Sequence, residues 1–231
     1  MSEANIYNQT TPMHGARLIW ITPQAEQVMG YCARVSNPAN QENHDTACKL
    51  LSYCIRNKHW SVFEMASMCL EIHTTRAIAQ QILRHRSFSF QEHSQRYAPA
   101  LDVSIPHLRR QDLKNRQNSI DDLDEQTAEF IEERIVNHFR EAQELYEYML
   151  SKGVAKECSR SVLPLNTTTR LYMSGTIRSW LHYIDLRSWH GTQWEHTQIA
   201  LNALDIIKEQ LPTIADAMWP NESTPKTATM P

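Results

Sequence analysis

SVFEMASMCLEIH, residues 61–73, and RAIAQQILRHR, residues 76–86, follow one another closely and differ in period. In the first, Val62, Ala66, Met68, Leu70 and Ile72 fall at even steps and so share one face of an extended chain. The spacing predicts a strand from Ser61 to His73, with Glu64 on the apolar face near its start. A carboxylate there sits at a sheet edge or has a task. The second stretch is built from helix formers and predicts a helix from Arg76 to about Arg86. Upstream, Leu18–Thr22 reads as a short strand. Pro23 opens a helix to about Arg34, and another helix is expected over Asn43–Asn57. Downstream, Ser87–Pro99 is polar and aromatic without clean periodicity and reads as a loop. Ile131, Ile135, Phe139, Ala142, Leu145 and Met149 step by three and four, giving a long helix over Leu123–Lys152 that Gly153 terminates. A short helix follows to about Arg160. Thr167–Ser174 reads as a strand, and Ile177–Arg187 and Gln193–Gln210 as helices. Long helices, few strands and no βαβ rhythm predict an α+β fold: a single domain over 1–231 with a mainly antiparallel sheet flanked by long helices. Residues 1–14 and 220–231 read as loose.

The chain has only 5 Gly in 231 residues, and neither GxGxxG nor GxxxxGK[ST] occurs. Any nucleotide must therefore be held mainly by side chains. The formal net charge of −3 argues against nucleic acid as a partner. Locally the balance reverses: between Thr75 and Arg96 there are four arginines, Arg76, Arg84, Arg86 and Arg96, against one acid, Glu92. The 5 cysteines, Cys32, Cys48, Cys54, Cys69 and Cys158, form no CxxC and read as reduced thiols acting mostly as small hydrophobes. No signal peptide or membrane span is evident, so a cytoplasmic protein is expected.

The chemistry concentrates in Arg84-His85-Arg86-Ser87-Phe88-Ser89-Phe90-Gln91-Glu92-His93-Ser94-Gln95-Arg96-Tyr97. Arginine offers a planar fork of donors that matches phosphate oxygens. A basic helix terminus followed by a polar loop could look similar in isolation. The whole string, however, resembles the RHRx7S signature of flavin-dependent thymidylate synthases, with Gln91 where many members carry Asn. His59-Trp60-Ser61-Val62-Phe63-Glu64 is similar to the family's H-x-[ST]-x-F-E segment, and Arg160-Ser161-Val162-Leu163-Pro164 to its R-x-x-L-P segment. Arg178–Arg187 resembles its flavin- and substrate-binding helix.

This resemblance, spanning roughly residues 59 to 195, implies an enzyme of dTMP biosynthesis. It would convert dUMP to dTMP, with methylenetetrahydrofolate as carbon donor and NADPH as reductant through FAD. It assigns Ser61, Glu64, Arg84, His85, Arg86, Glu92, Thr176, Arg178 and His182 to FAD. It assigns Gln81, Arg84, Glu92, Ser94, Gln95, Arg96, Arg160 and Arg187 to dUMP. On a helix, Gln81 and Arg84 would share a face. Arg187 would face the uracil ring and His59 the flavin and folate end, making these two the catalytic candidates. His190 is left out, because its spacing from Arg187 differs by one from the family's. The resemblance further implies a homotetramer with active sites at subunit interfaces, no nucleic acid, no membrane and no metal. Two other readings compete. An FAD- or nucleotide-binding relative without synthase activity would lack the Ser94, Arg96, Arg160 and Arg187 set. A nucleic-acid-binding module would use the arginines with Phe88, Phe90 and Tyr97, against the net charge.

Overall fold

The computed structural model describes residues 11–97, 103–189 and 191–220. The fold is α+β with an antiparallel sheet. Strands β1 (Gly15–Ile21), β2 (Ser67–Thr75), β3 (Ser89–Glu92) and β6 (Thr168–Thr176) form a sheet in the order β1-β2-β6-β3. The short strands β4 (Arg110–Gln111) and β5 (Ser119–Ile120) pair antiparallel on their own. The helices are α1 (Ala25–Ala33), α2 (Ala47–Arg56), α3 (Arg76–Ile82), α4 (Glu125–Ser151), α5 (Lys156–Ser159), α6 (Ile177–Arg187), α7 (Trp194–Gln210) and α8 (Pro212–Met218). Among the described residues, no helix is long and apolar enough to cross a membrane.

The chain divides into two compact units. The first comprises Met1–Ile72, His85–Phe90 and Tyr172–Pro231, and the second His73–Arg84 and Gln91–Leu171. In the first unit, Met68, Leu70 and Ile72 of β2 are fully buried, as are Trp180, Tyr183 and Ile184 of α6 and Ile199, Ala203 and Ile207 of α7. The Trp180 indole satisfies its N–H by donating to the Met68 carbonyl at 3.0 Å. The opposite face of β2 is buried too and carries Glu71. Its carboxylate receives Arg17 of β1 through Nε at 2.8 Å and Nη2 at 3.0 Å, the Tyr172 hydroxyl at 2.8 Å and the Thr11 hydroxyl at 2.8 Å. Burial pushes the Glu71 carboxyl up. The hydrogen bonds from Arg17, Thr11 and Tyr172, with the charge of Arg17, outweigh it and hold the group at about 2.

In the second unit, α4 is fixed at its start by the Asp124 side chain, which accepts from the backbone N–H groups of Gln126 and Thr127. Gly153, with φ of 79°, ends it. Phe139, Ala142 and Tyr146 are its buried residues, so Tyr146 takes the inward place expected of Leu145, which is 47% exposed.

Four further expectations are overturned. Trp60–Glu64 is a 3-10 turn, and the strand begins only at Ser67, so Glu64 is not on its apolar face. Helix α3 stops at Ile82, which leaves Arg84, His85 and Arg86 on the following turn; Gln81 and Arg84 thus share no helix face. Ser89–Glu92 is a strand of the sheet rather than loop. Cys48 and Cys158 are exposed, unlike the buried Cys54 and Cys69, so they do not serve as core hydrophobes.

Candidate active site

The first unit holds nine of the sequence-predicted residues. Thr176 caps α6, its hydroxyl accepting from the Ser179 N–H at 3.3 Å. That fixes the helix start and sends Arg178 and His182, four apart, to one exposed side. Ser61 and Glu64 are three apart in the 3-10 turn and so lie one above the other. The Glu64 carboxylate pairs with Arg178 Nη1, which ties this turn to α6. His59 precedes the turn and sets its ring edge-on to Tyr53, with centroids 5.8 Å apart. Arg86 is exposed and has no ion-pair partner among the described residues.

Arg187 closes α6, and its Nε donates to His85 Nε2 at 2.9 Å. An arginine nitrogen can only donate here, so His85 is neutral and carries its proton on Nδ1. Burial, then the charges of Arg187 and His182, hold the His85 imidazole down at about 4. The terminal nitrogens of Arg187 have no protein partner among the described residues.

Behind His85 lie Tyr183 and His196, which the sequence did not single out, with Phe88 and Trp180 packed beside them. The Tyr183 ring meets His85 edge-to-face at 4.9 Å, and its hydroxyl is 3.1 Å from His196 Nε2. Phe88 packs edge-on against Trp180 at 4.8 Å and against Tyr183 at 6.0 Å. Burial pushes the Tyr183 phenol up, well above its usual range. Burial, then Arg187 and His85, push the His196 imidazole down to about 3. The aromatic residues of α6 could be read as core from their spacing. Nothing in the sequence marks His196.

The second unit holds the other seven. The Glu92 carboxylate accepts from Arg76 Nη1 and from the Thr169 hydroxyl, both at 3.0 Å. It therefore already has protein partners on Oε1. Arg76 also donates to the His93 carbonyl at 2.7 Å, while its buried Nε has no partner among the described residues. The Ser94 hydroxyl accepts from the Arg96 N–H at 3.3 Å, tightening the turn that follows β3. Arg96 makes an exposed ion pair with Glu157 at 3.1 Å. Arg160 and Arg84 are exposed and have no ion-pair partner among the described residues. Gln81, at the end of α3, is half-buried. Gln95 is 6% exposed, yet its amide nitrogen is buried without a hydrogen-bond acceptor among the described residues. A buried donor left unpaired costs about 1–3 kcal/mol, a cost that a ligand oxygen would remove. His190 lies outside the described residues. Among the described residues, no group of three or more His, Cys, Asp or Glu is placed to hold a metal ion.

A solved structure with a similar fold is a UMP/dUMP methylase, PolB from Streptomyces cacaoi, bound with 5-Br dUMP. The TM-score is 0.77 at 22% identity, covering 89% of this chain and 95% of that one. The chain thus shares the α+β fold of that protein. The family described as thymidylate synthase complementing protein matches residues 17–213. A flavin-dependent thymidylate synthase from Synechocystis sp. is 55% identical over 193 residues, 84% of this chain and 89% of that protein. A probable flavin-dependent thymidylate synthase of Paramecium bursaria Chlorella virus 1 is 52% identical over 195 residues, 84% of this chain and 90% of its own length. The chain belongs to the flavin-dependent thymidylate synthase family.

Proposed function

We propose that this enzyme methylates dUMP to dTMP, taking the carbon from methylenetetrahydrofolate and reducing equivalents from NADPH through FAD. The observation that carries the reading is Arg187. Its Nε is fastened to His85, and its terminal nitrogens have no protein partner among the described residues. A fixed guanidinium with two free donor groups suits an oxygen-rich ring on which negative charge builds. Methylation at C5 of a uracil creates such charge, and a preorganised cation favours it most at the transition state. The donor chemistry also fits a dinucleotide. Arg84 and Arg86 are free to meet phosphate oxygens without a glycine loop, and the Gln95 amide is a donor awaiting an acceptor. Ser61, Glu64, Thr176, Arg178 and His182 are assigned to FAD with them, and Glu92 to both ligands. Gln81, Ser94, Arg96 and Arg160 are assigned to dUMP, and His59 to the folate end.

FAD, when bound, supplies the redox equivalents that turn the transferred carbon into a methyl group. The protein's own part is orientation and charge. Glu64 holds Arg178, His85 holds Arg187, and Glu92 holds Arg76. The active unit is a cytoplasmic homotetramer with active sites at subunit interfaces. Exposed Phe130, Leu145 and Tyr148 on α4 support burial of that face in an assembly.

The test is the purified protein itself. It is expected to bind FAD, to bleach when NADPH is added, and to form dTMP only when methylenetetrahydrofolate is present. Protein that takes up no flavin and forms no dTMP overturns the reading. Light scattering that finds a fully active monomer overturns the tetramer.

A further inference from the structure

Arg187 and Tyr183 are four residues apart on α6 and therefore project one above the other along the same side of the helix. His85 spans both, since its ring stands edge-on to Tyr183 while its Nε2 accepts from Arg187. Two contacts on one small ring leave it little freedom, so the pose of Tyr183 sets the pose of His85, and His85 sets the direction of Arg187. Tyr183 is fixed in turn. Its ring is fully buried against Trp180 and Phe88, and its hydroxyl is bonded to His196 in the first turn of α7. His196 is itself fully buried. A histidine and a phenol are costly to desolvate, and beside Trp180 and Phe88 apolar residues would fill the same space.

We propose that Tyr183 and His196 are positioning residues for the thymidylate synthase reaction: acting through His85, they aim the Arg187 guanidinium at the pyrimidine. The inference rests on the activity assigned above. It explains why the polar pair is kept in the core and why His85 is held as an acceptor. An imidazolium at position 85 would have no lone pair on Nε2 to offer Arg187.

The test compares His196→Leu, His196→Gln and Tyr183→Phe in two backgrounds, wild type and Arg187→Ala, all as full-length holoenzyme. In the wild-type background, His196→Leu and Tyr183→Phe are expected to lower kcat about tenfold, because a small misplacement of a catalytic cation is costly. The KM for dUMP and the flavin content should change little. His196→Gln can still bond the Tyr183 hydroxyl and is expected to restore most of the rate. In the Arg187→Ala background the same substitutions should change kcat less than about twofold, because the group they aim is gone. An equal loss in both backgrounds overturns the proposal and leaves Tyr183 and His196 as packing. Should His196→Leu fail to fold, Tyr183→Phe, which removes a single oxygen, carries the comparison alone. A second readout needs no catalysis: in crystals of His196→Leu or Tyr183→Phe, Arg187 should leave its 2.9 Å contact with His85. An unchanged Arg187 in those crystals overturns the proposal. If the wild type forms no dTMP, the assigned activity falls, and the crystals alone decide whether the pair positions Arg187.

Discussion

Replacing Glu71 by Gln should destabilise the protein more than a surface charge change would. Glu71 is 3% exposed and takes two nitrogens of Arg17 and two hydroxyls, from Thr11 and Tyr172. Glutamine has nearly the same shape. It brings one acceptor oxygen where there were two and removes the charge that compensates Arg17, whose side chain is itself only 13% exposed. Removing one member of a buried pair leaves the other buried and uncompensated, at about 3–5 kcal/mol. For a chain of this length each kcal/mol lowers the melting midpoint by roughly 2–4 °C, so a fall of about 6–20 °C is expected. Circular dichroism melts at matched protein concentration and fixed FAD measure it, since bound ligand and assembly also shift the midpoint. The pH dependence adds a second check. The folded carboxyl sits at about 2 against an ordinary 4.5, so its contribution is fully present above pH 4.5. It is lost as pH falls through the folded value. The gap between wild type and Glu71→Gln should therefore be constant near neutrality and narrow progressively below pH 4.5. A Gln variant that melts within about 2 °C of wild type at pH 7 refutes the reasoning.

Gly175→Ala should cost about 1–3 kcal/mol of stability, because the added carbon would meet the Phe88 ring at 2.5 Å inside a packed aromatic cluster. The loss should shrink in a Phe88→Leu background, and equal losses in both would show that the ring is not the obstacle. Arg187→Ala is expected to keep FAD bound while dTMP formation falls by ~10²-fold or more, measured as product per bound flavin. Wild-type turnover in that variant removes Arg187 from the chemistry. No single Cys→Ser variant should lose activity by orders of magnitude per bound flavin. Alkylation should reach the exposed Cys48 and Cys158 well before Cys54 and Cys69, whose thiols burial pushes up.

Most of the helices and strands β1 and β6 were legible because one signal governs each. Thr176 caps α6 where the β-branched run of β6 ends, and the three-and-four spacing of α4 runs unbroken between Asp124 and Gly153. The failures cluster around residues 60–64 and 83–92, where tertiary contacts compete with local preference. Val62 happens to continue the even-numbered phase of β2, so a 3-10 turn looked like more strand. Leu83-Arg84-His85-Arg86 would suit a helix, but the His85 ring is held by Arg187 and Tyr183, and Phe88 by Trp180. Strand β3 did carry a signal, the alternation of Ser and Phe from Ser87 to Phe90. At the candidate site, the arginine-rich string marked the candidate residues. It could not indicate that Glu92 is engaged by Arg76 and Thr169, or that Tyr183 and His196 lie behind His85. Those facts depend on residues far apart in the chain.

The division of the chain into interleaved segments sets an order of events on the ribosome. All segments of the second unit have been made once Leu171 is synthesised, whereas the first unit still lacks α6, α7 and α8. Strand β1 must wait for Asn202 of α7, whose side chain accepts from the Ala16 N–H at 3.2 Å, and β2 must wait for Trp180. Synthesis runs at about 5–20 residues per second, so Met68, Leu70 and Ile72 stay uncovered for roughly 5–20 s after they are made. During that interval a nascent chain exposes the apolar face of β2 without α6 to cover it, a state that recruits chaperones or aggregates. Expression yield in a heterologous host should therefore respond to translation speed and holdase supply more than to the stability of the finished protein.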